Sequence, residues 1–275
     1  MFQVINDDCL HAMADIADHS IDLILADLPY GTTACSWDSV IDLEELWRHY
    51  KRIIKPYHAI VLTASQPFTT VLAMSNLSWL RYEWIWVKNR PTNFVHARNK
   101  PMKRHENILV FSEGSTVHVG QSTRRMPYYP QGLRQIDDAK AYRKRPTELT
   151  DAFFQARPSH GEFLREWTGY PSSVLEFPTD QLGLHPTAKP VALMRYLIET
   201  YTESDALVLD SCCGSGSTGV ACIEAKRDFI GMELDQGYAE TARTRIERAV
   251  STAQLITFES QTCCATSAAI QSSGD

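Results

Sequence analysis

The sequence predicts an α/β chain built on a mostly parallel sheet, and three observations support this. Apolar runs of strand length, such as Phe2 to Ile5, Ile21 to Ala26, Ala59 to Ala64 and Ala206 to Leu209, alternate with stretches of helical spacing. Two of these runs end in residues suited to chemistry rather than packing: Asp27, Leu28, Pro29 and Tyr30 after one, and Asp210 to Gly219 after another. The alternation fades near residue 114 and returns near residue 185, so an insert is expected to interrupt one domain.

Taken in order, Phe2 to Ile5, Ile21 to Ala26, Ala59 to Ala64, Trp84 to Val87 and Ile108 to Phe111 read as strands. Leu43 to Ile54 and Pro67 to Leu77 have helical spacing between them. The last two strands are joined by residues 88 to 107, with six basic residues and one acid, which suggests an antiparallel hairpin with a basic loop. From 114 to 184, Arg, Tyr, Pro, Gly and Gln dominate, and irregular structure is expected. Helix Val191 to Tyr201, strand Ala206 to Leu209, a helix from about Ser217, strand Phe229 to Met232 and helix Gln236 to Val250 restore the α/β pattern. The Ser-, Thr-, Gln- and Ala-rich residues 253 to 275 are expected to be a flexible tail.

With 275 residues and 44% hydrophobic composition, the chain can bury a full core. No apolar stretch approaches the roughly 18 residues of a membrane span, and the acidic start does not suit a signal peptide, so a cytoplasmic protein is expected. The seven cysteines form no C-x-x-C pair, and no metal site is expected. Cys9, Cys212, Cys213 and Cys222 read first as small packed hydrophobes.

Net charge is -6, yet it is unevenly placed. Between Lys88 and Arg145 there are 13 Lys and Arg against four acids, a local +9, which leaves -15 on the rest. An acidic body with a basic middle is the distribution expected of a chain with one face against phosphates. A solvated charged face is the plainer alternative.

Asp27, at a strand end with Pro29 and Tyr30, offers a carboxylate and an aromatic ring to a flat, amino-bearing ligand such as a nucleobase. Asp210 to Gly219 has the strand, glycine turn and helix of a nucleotide-type cofactor site, and Glu233 at the next strand end is placed for ribose hydroxyls. Gly214, Gly216 and Gly219 also satisfy G-x-G-x-x-G, so a dinucleotide-dependent dehydrogenase is a rival. Asp210 would repel a pyrophosphate but attract a cationic amino end, and about 60 residues after Gly214 are too few for a second mononucleotide half.

Together these motifs resemble a known family. Asp27 to Tyr30 looks like the D-P-P-Y motif of amino-group DNA methyltransferases, Asp210 to Gly216 like their D-x-F-x-G-x-G motif, and His185 to Pro190 like their H-P-T-x-K-P segment. The catalytic motif precedes the insert and the cofactor motif comes last, which is the circularly permuted order of the beta class. The resemblance implies a Rossmann-like methyltransferase sheet, mostly parallel with an antiparallel hairpin. Its catalytic half would be 1–113, its target-recognition insert 114–184, and its cofactor half 185–252.

The implied cofactor is S-adenosyl-L-methionine (SAM), and the implied substrate is double-stranded DNA with a flipped adenine methylated at N6. Cytosine N4 is the alternative, Asp at the first motif position leaning toward adenine. Asp8, in an Asn6 to Cys9 turn, would reach the cofactor adenine with Cys9 beside it. Lys189 and Thr187 would hold the methionine end with His185 nearby, while Asp210, Cys212, Gly214, Gly216, Ser217 and Thr218 would form the loop and Glu233 would bind ribose.

Asp27 and the Leu28 carbonyl would accept the two N–H bonds of the target amine, and Tyr30 would stack on the base. Leu28 departs from the family's first proline but keeps its carbonyl. A cysteine nucleophile for C5 methylation is lacking in the required Pro-Cys setting, Cys35 being the nearby thiol. Lys88, Arg90, Arg98, Lys100, Lys103, Arg104, Arg124, Arg125, Arg134, Arg143 and Arg145 are the expected DNA contacts, and residues 32 to 40, with Trp37 and Asp38, a candidate lid. Family members often pair as homodimers. A non-catalytic DNA-binding protein is the remaining alternative.

Overall fold

The computed structural model describes residues 1–31, 41–116, 123–137, 141–143, 162–179 and 188–271. The first half contains β1 (Phe2–Asn6), α1 (Cys9–Ala12), β2 (Ile21–Asp27), α2 (Leu43–Ile53), β3 (Ile54–Ala64), α3 (Phe68–Ser75), β4 (Leu80–Thr92) and β5 (Lys103–Phe111). The middle adds the short strands β6 (Arg134–Gln135), β7 (Ala141–Arg143), β8 (Glu162–Leu164), β9 (Trp167–Thr168) and β10 (Val174–Glu176). The last part is α4 (Val191–Tyr201), β11 (Leu207–Asp210), α5 (Ser217–Glu224), β12 (Asp228–Glu233) and α6 (Gln236–Gln271).

Among the described residues, eight strands form the main sheet in the order β1-β12-β11-β2-β3-β5-β4-β10. Only β5 pairs antiparallel, with β3 on one side and β4 on the other; the remaining pairings are parallel. The mostly parallel sheet with one antiparallel hairpin expected from sequence is therefore present. The hairpin strands are longer than the apolar runs Trp84 to Val87 and Ile108 to Phe111 indicate. Their outer ends, Asn89 to Thr92 on β4 and Lys103 to His105 on β5, are polar and mostly exposed, so a search for continuous apolar runs does not detect them.

Central strands β2 and β3 carry continuous buried apolar runs because helices cover both faces of a parallel sheet. Leu23 and Leu25 point into one hydrophobic cluster, Ile24 and Ala26 into the other. The strand period of two thus feeds both cores at once. Helix α2 starts on Asp42, whose side chain accepts from the Glu44 and Glu45 N–H groups, and it buries Leu46, Tyr50 and Ile53 on one face.

The chain forms two compact units, residues 1–129 with 173–275, and residues 130–172. The second unit is narrower than the expected insert 114–184. Met126 is buried in the main core, and β10 extends the sheet beside β4, which assigns both flanks of the insert to the main unit. Within the smaller unit, β6 pairs with β9 and β7 with β8.

Where a flexible tail is expected from residue 253 onward, the backbone of α6 continues to Gln271. No Gly or Pro lies between Tyr238 and Ser273, so nothing in the chain stops the helix. No helix among the described residues is long and apolar enough to cross a membrane.

Candidate active site

Parallel strands β11 and β2 are neighbours, and the chain leaves them toward opposite edges of the sheet, β11 toward β12 and β2 toward β3. Ligands of open α/β sheets bind at such a switch point, outside the carboxyl ends of the strands. Asp210 and Asp27 are the last residues of these two strands, and both line a cavity of about 890 Å³. That volume is at the upper end of the range for small-molecule sites.

Asp27 is surrounded by donors. Its Oδ1 accepts the Tyr30 hydroxyl at 2.7 Å and the Thr63 hydroxyl of β3, which the sheet register places directly opposite. Its Oδ2 accepts the Lys189 ammonium at 2.5 Å. A carboxylate has about four acceptor positions. Among the described residues two donors fill Oδ1 and one occupies Oδ2, which leaves Oδ2 one acceptor position.

Leu28 follows with its side chain buried in the core, so its backbone remains to line the cavity. Pro29 lines the cavity beside it. The Tyr30 ring, expected to lie on a base, has Phe68 stacked on it, centroids 5.3 Å apart and planes 25° apart. Burial, with the nearby Asp27 and Glu106 carboxylates, pushes the phenol well above its ordinary range, so the hydroxyl stays a donor.

Lys189, expected at the cofactor, lines the same cavity and pairs there with the Asp27 carboxylate. It is buried, and its ammonium lies between Asp27 Oδ2 and Glu106 Oε2, the latter at 3.4 Å. Burial works against its charge, but Asp27 and then Glu106 outweigh that cost and raise its pKa.

Glu106 on β5 also receives Lys88 of β4 at 2.5 Å, with Lys103 at 3.7 Å. Burial opposes its charge as well, yet Lys189 and Lys88 hold it down at about 2. Lys88, only 11% exposed in its side chain, and Lys103, whose ammonium also donates to Ser65, expected as DNA contacts, both line the cavity beside Glu106. Glu106 itself was missed in sequence. The available signal was a lone acid at the polar end of an apolar strand.

The glycine loop forms the other half of the cavity. Asp210 is buried, with its Oδ2 accepting the Thr218 hydroxyl at 2.6 Å and its Oδ1 the Cys212 N–H at 3.0 Å. Burial raises its pKa to about 7. Gly214 has φ +50, and a Cβ added there would meet no atom within 4 Å. Gly216 has φ +82, and an added Cβ would lie 2.9 Å from Ala242. Glu233 lines the cavity while its carboxylate accepts the N–H groups of Gly214 and Asp235, both at 2.9 Å. Ser217 Oγ is buried and makes no hydrogen bond, an orphan on the cavity wall.

Asp8 lines the same cavity but also caps α1, accepting from Leu10 N–H at 2.8 Å. Neighbouring Asp7, which the sequence reading passed over, lines it too and binds His11 Nδ1 at 2.5 Å. Cys9 and Cys212 line the wall as free thiols, and the neighbouring Cys9 thiol together with burial pushes Cys212 well up. Arg90, Arg98, Lys100 and Arg104 are exposed on the hairpin, Arg124, Arg125 and Arg134 are exposed elsewhere, and Arg143 lies on β7. His185, Thr187, Arg145 and the candidate lid 32–40 lie outside the described residues.

The N6/N4 DNA methylase family model matches residues 21–244, and the chain belongs to that family. DNA adenine methyltransferase YhdJ of Escherichia coli (strain K12) is 26% identical over 263 residues, 89% of this chain and 82% of that protein. YubD of the same organism is 45% identical over 62 residues, so the chain spans about a quarter of that relative's length. Among solved structures, the M1.HpyAVI–SAM complex has a TM-score of 0.55 at 22% identity, covering 89% of this chain and all of that one. PvuII DNA methyltransferase (cytosine-N4-specific) has a TM-score of 0.60 at 13% identity, covering 92% and 91%. Both structures share the fold.

Proposed function

We propose that the protein transfers a methyl group from S-adenosyl-L-methionine to the exocyclic N6 of a flipped adenine in double-stranded DNA. The open acceptor position on Asp27 Oδ2, in the same cavity as the buried Asp210, is the observation that carries the reading. The cofactor fits the residues present. Orphaned Ser217 Oγ, the empty Cβ direction of Gly214 and, at Asp210, a buried carboxylate with no cation beside it among the described residues are what a nucleoside with a cationic amino acid tail would complete. Asp8 and Glu233 would hold its adenosine end, Asp210, Gly214 and Ser217 the remainder.

When bound, the cofactor supplies an electrophilic methyl group on a sulfonium. The exocyclic nitrogen is a poor nucleophile because its lone pair is delocalised into the ring. Asp27 Oδ2 accepts one of its N–H bonds and the Leu28 carbonyl accepts the other, which favours a tetrahedral nitrogen and stabilises the charge growing on it. Thr63, Tyr30 and Lys189 fix the carboxylate in one orientation, so little reorganisation remains to be done during attack. The proton leaving nitrogen is placed to pass to Asp27 Oδ2.

Adenine is favoured over cytosine by the Asp at position 27 and by the name of the relative YhdJ. Incubation with labelled SAM and mixed-sequence DNA, followed by nucleoside analysis, tests the reading. N6-methyladenine is expected, N4-methylcytosine would move the target, and absence of label from DNA would reject the function.

A further inference from the structure

Apart from Met1, Phe94 and Val95 are the most exposed large hydrophobic residues among those described, at 78% and 90%. They sit at the tip of the β4–β5 hairpin on a built turn. Asn93 adopts the left-handed region at φ 69, and the His96 and Ala97 N–H groups close on the Asn93 and Phe94 carbonyls at 3.0 Å each. That turn holds the pair out into solvent. Thr92, Asn93, His96 and Lys100 line the same cavity as Asp27, so the tip borders that cavity.

Exposed Arg90, Arg98, Lys100 and Arg104 surround it, and the one acid of residues 88–107, Glu106, is buried and paired inside. A cationic rim around two bare apolar side chains complements a duplex, whose outside is phosphate and whose interior is stacked bases. Two residues are too few for a stable protein interface, which buries about 800 Å² per partner. They do match the size of the gap left by one extruded base.

We propose that Phe94 and Val95 form a wedge that enters the duplex where the target base leaves it, holding the stack open while the base occupies the cavity. This rests on the DNA methylation reading and adds to it the residues that stabilise the opened duplex. Removing the wedge should matter only when the target base is paired, because an unpaired base costs far less to extrude.

The test uses the methylated site, mapped by sequencing treated genomic DNA, in two synthetic duplexes: one fully paired, one with an abasic position opposite the target. Wild type and Phe94→Ala/Val95→Ala are compared on both, with SAM affinity as the check on folding. A loss of roughly ten- to a hundredfold in kcat/KM on paired duplex is expected, with less than about threefold on the abasic duplex. Equal activity on the paired duplex, or an equal loss on both, overturns the wedge while the methylation reading stands. Conversion of a wild-type dimer to a monomer by the same variant also overturns it, since the pair would then be a contact between copies. Wild type inactive on all DNA overturns the methylation reading and the wedge with it.

Discussion

Lys189 places its ammonium 2.5 Å from Asp27 Oδ2, joining a residue of the segment before α4 to the end of β2 across 162 positions of sequence. Behind it stands Glu106, and behind Glu106 stands Lys88, so the Asp27 carboxylate ends a largely buried chain of alternating charges. Buried ions of this kind are stable together and costly apart.

Replacing Lys189 by Met leaves two carboxylates without their shared cation. A loss of about 3–5 kcal/mol in unfolding free energy is expected without any ligand, measured by chemical denaturation. Lys189→Met/Asp27→Asn should recover a substantial part, giving a non-additive double-mutant cycle. A residue that only touched the cofactor would show neither effect.

Glu106 supplies a pH signature. Its native pKa of about 2 lies below the ordinary 4.5, so its stabilisation is complete above about pH 4.5 and lost as pH falls toward 2. The difference corresponds to about 3 kcal/mol. Glu106→Gln should flatten that acid limb in denaturation curves and lower kcat while leaving the KM for SAM nearly unchanged, since Glu106 acts through Lys189.

Asp210 behaves oppositely. With its native pKa raised to about 7, the folded state holds an extra proton between about pH 4 and 7, so stability falls as pH rises through that window, by about 4 kcal/mol in total. A cationic ligand end favours the ionised form. Calorimetry at pH 6 in buffers of different ionisation enthalpy should therefore show release of about one proton on SAM binding, and Asp210→Asn should abolish that release while stabilising the free protein at pH 8.

The two glycines of the loop separate folding from binding. Gly216→Ala meets Ala242 at 2.9 Å and should lower the melting temperature. Gly214→Ala meets nothing, so its folding cost is limited to the left-handed strain of about 1–2 kcal/mol. Its added methyl projects into the space assigned to the cofactor. Thermal denaturation and SAM titration of both variants check the contrast.

The sheet and the two motif-bearing strand ends were legible because buried parallel strands write continuous apolar runs and glycine turns follow them at fixed offsets. Asp27 and Asp210 were found this way. Lys189's partner was not, because a motif shows that a lysine is near a site without showing which carboxylate faces it. Thr63 and Glu106 carry no motif; only the register of β3 against β2, and of β5 against β3 and β4, brings Thr63 to the Asp27 carboxylate and Glu106 to the cavity. Lys88 and Lys103 look like surface cations in sequence because the one acid that draws them inward is 18 and 3 residues away, respectively.

The central claim is that Asp27 Oδ2 accepts an N–H of the target amine. Asp27→Asn keeps the shape while weakening that acceptor, so single-turnover methyl transfer to DNA under saturating SAM tests it most directly. A fall of roughly a thousandfold or more is expected, on the scale of a lost charge-stabilising group, with SAM affinity within about threefold of wild type. Transfer at more than a tenth of the wild-type rate, with SAM bound normally, would contradict the account.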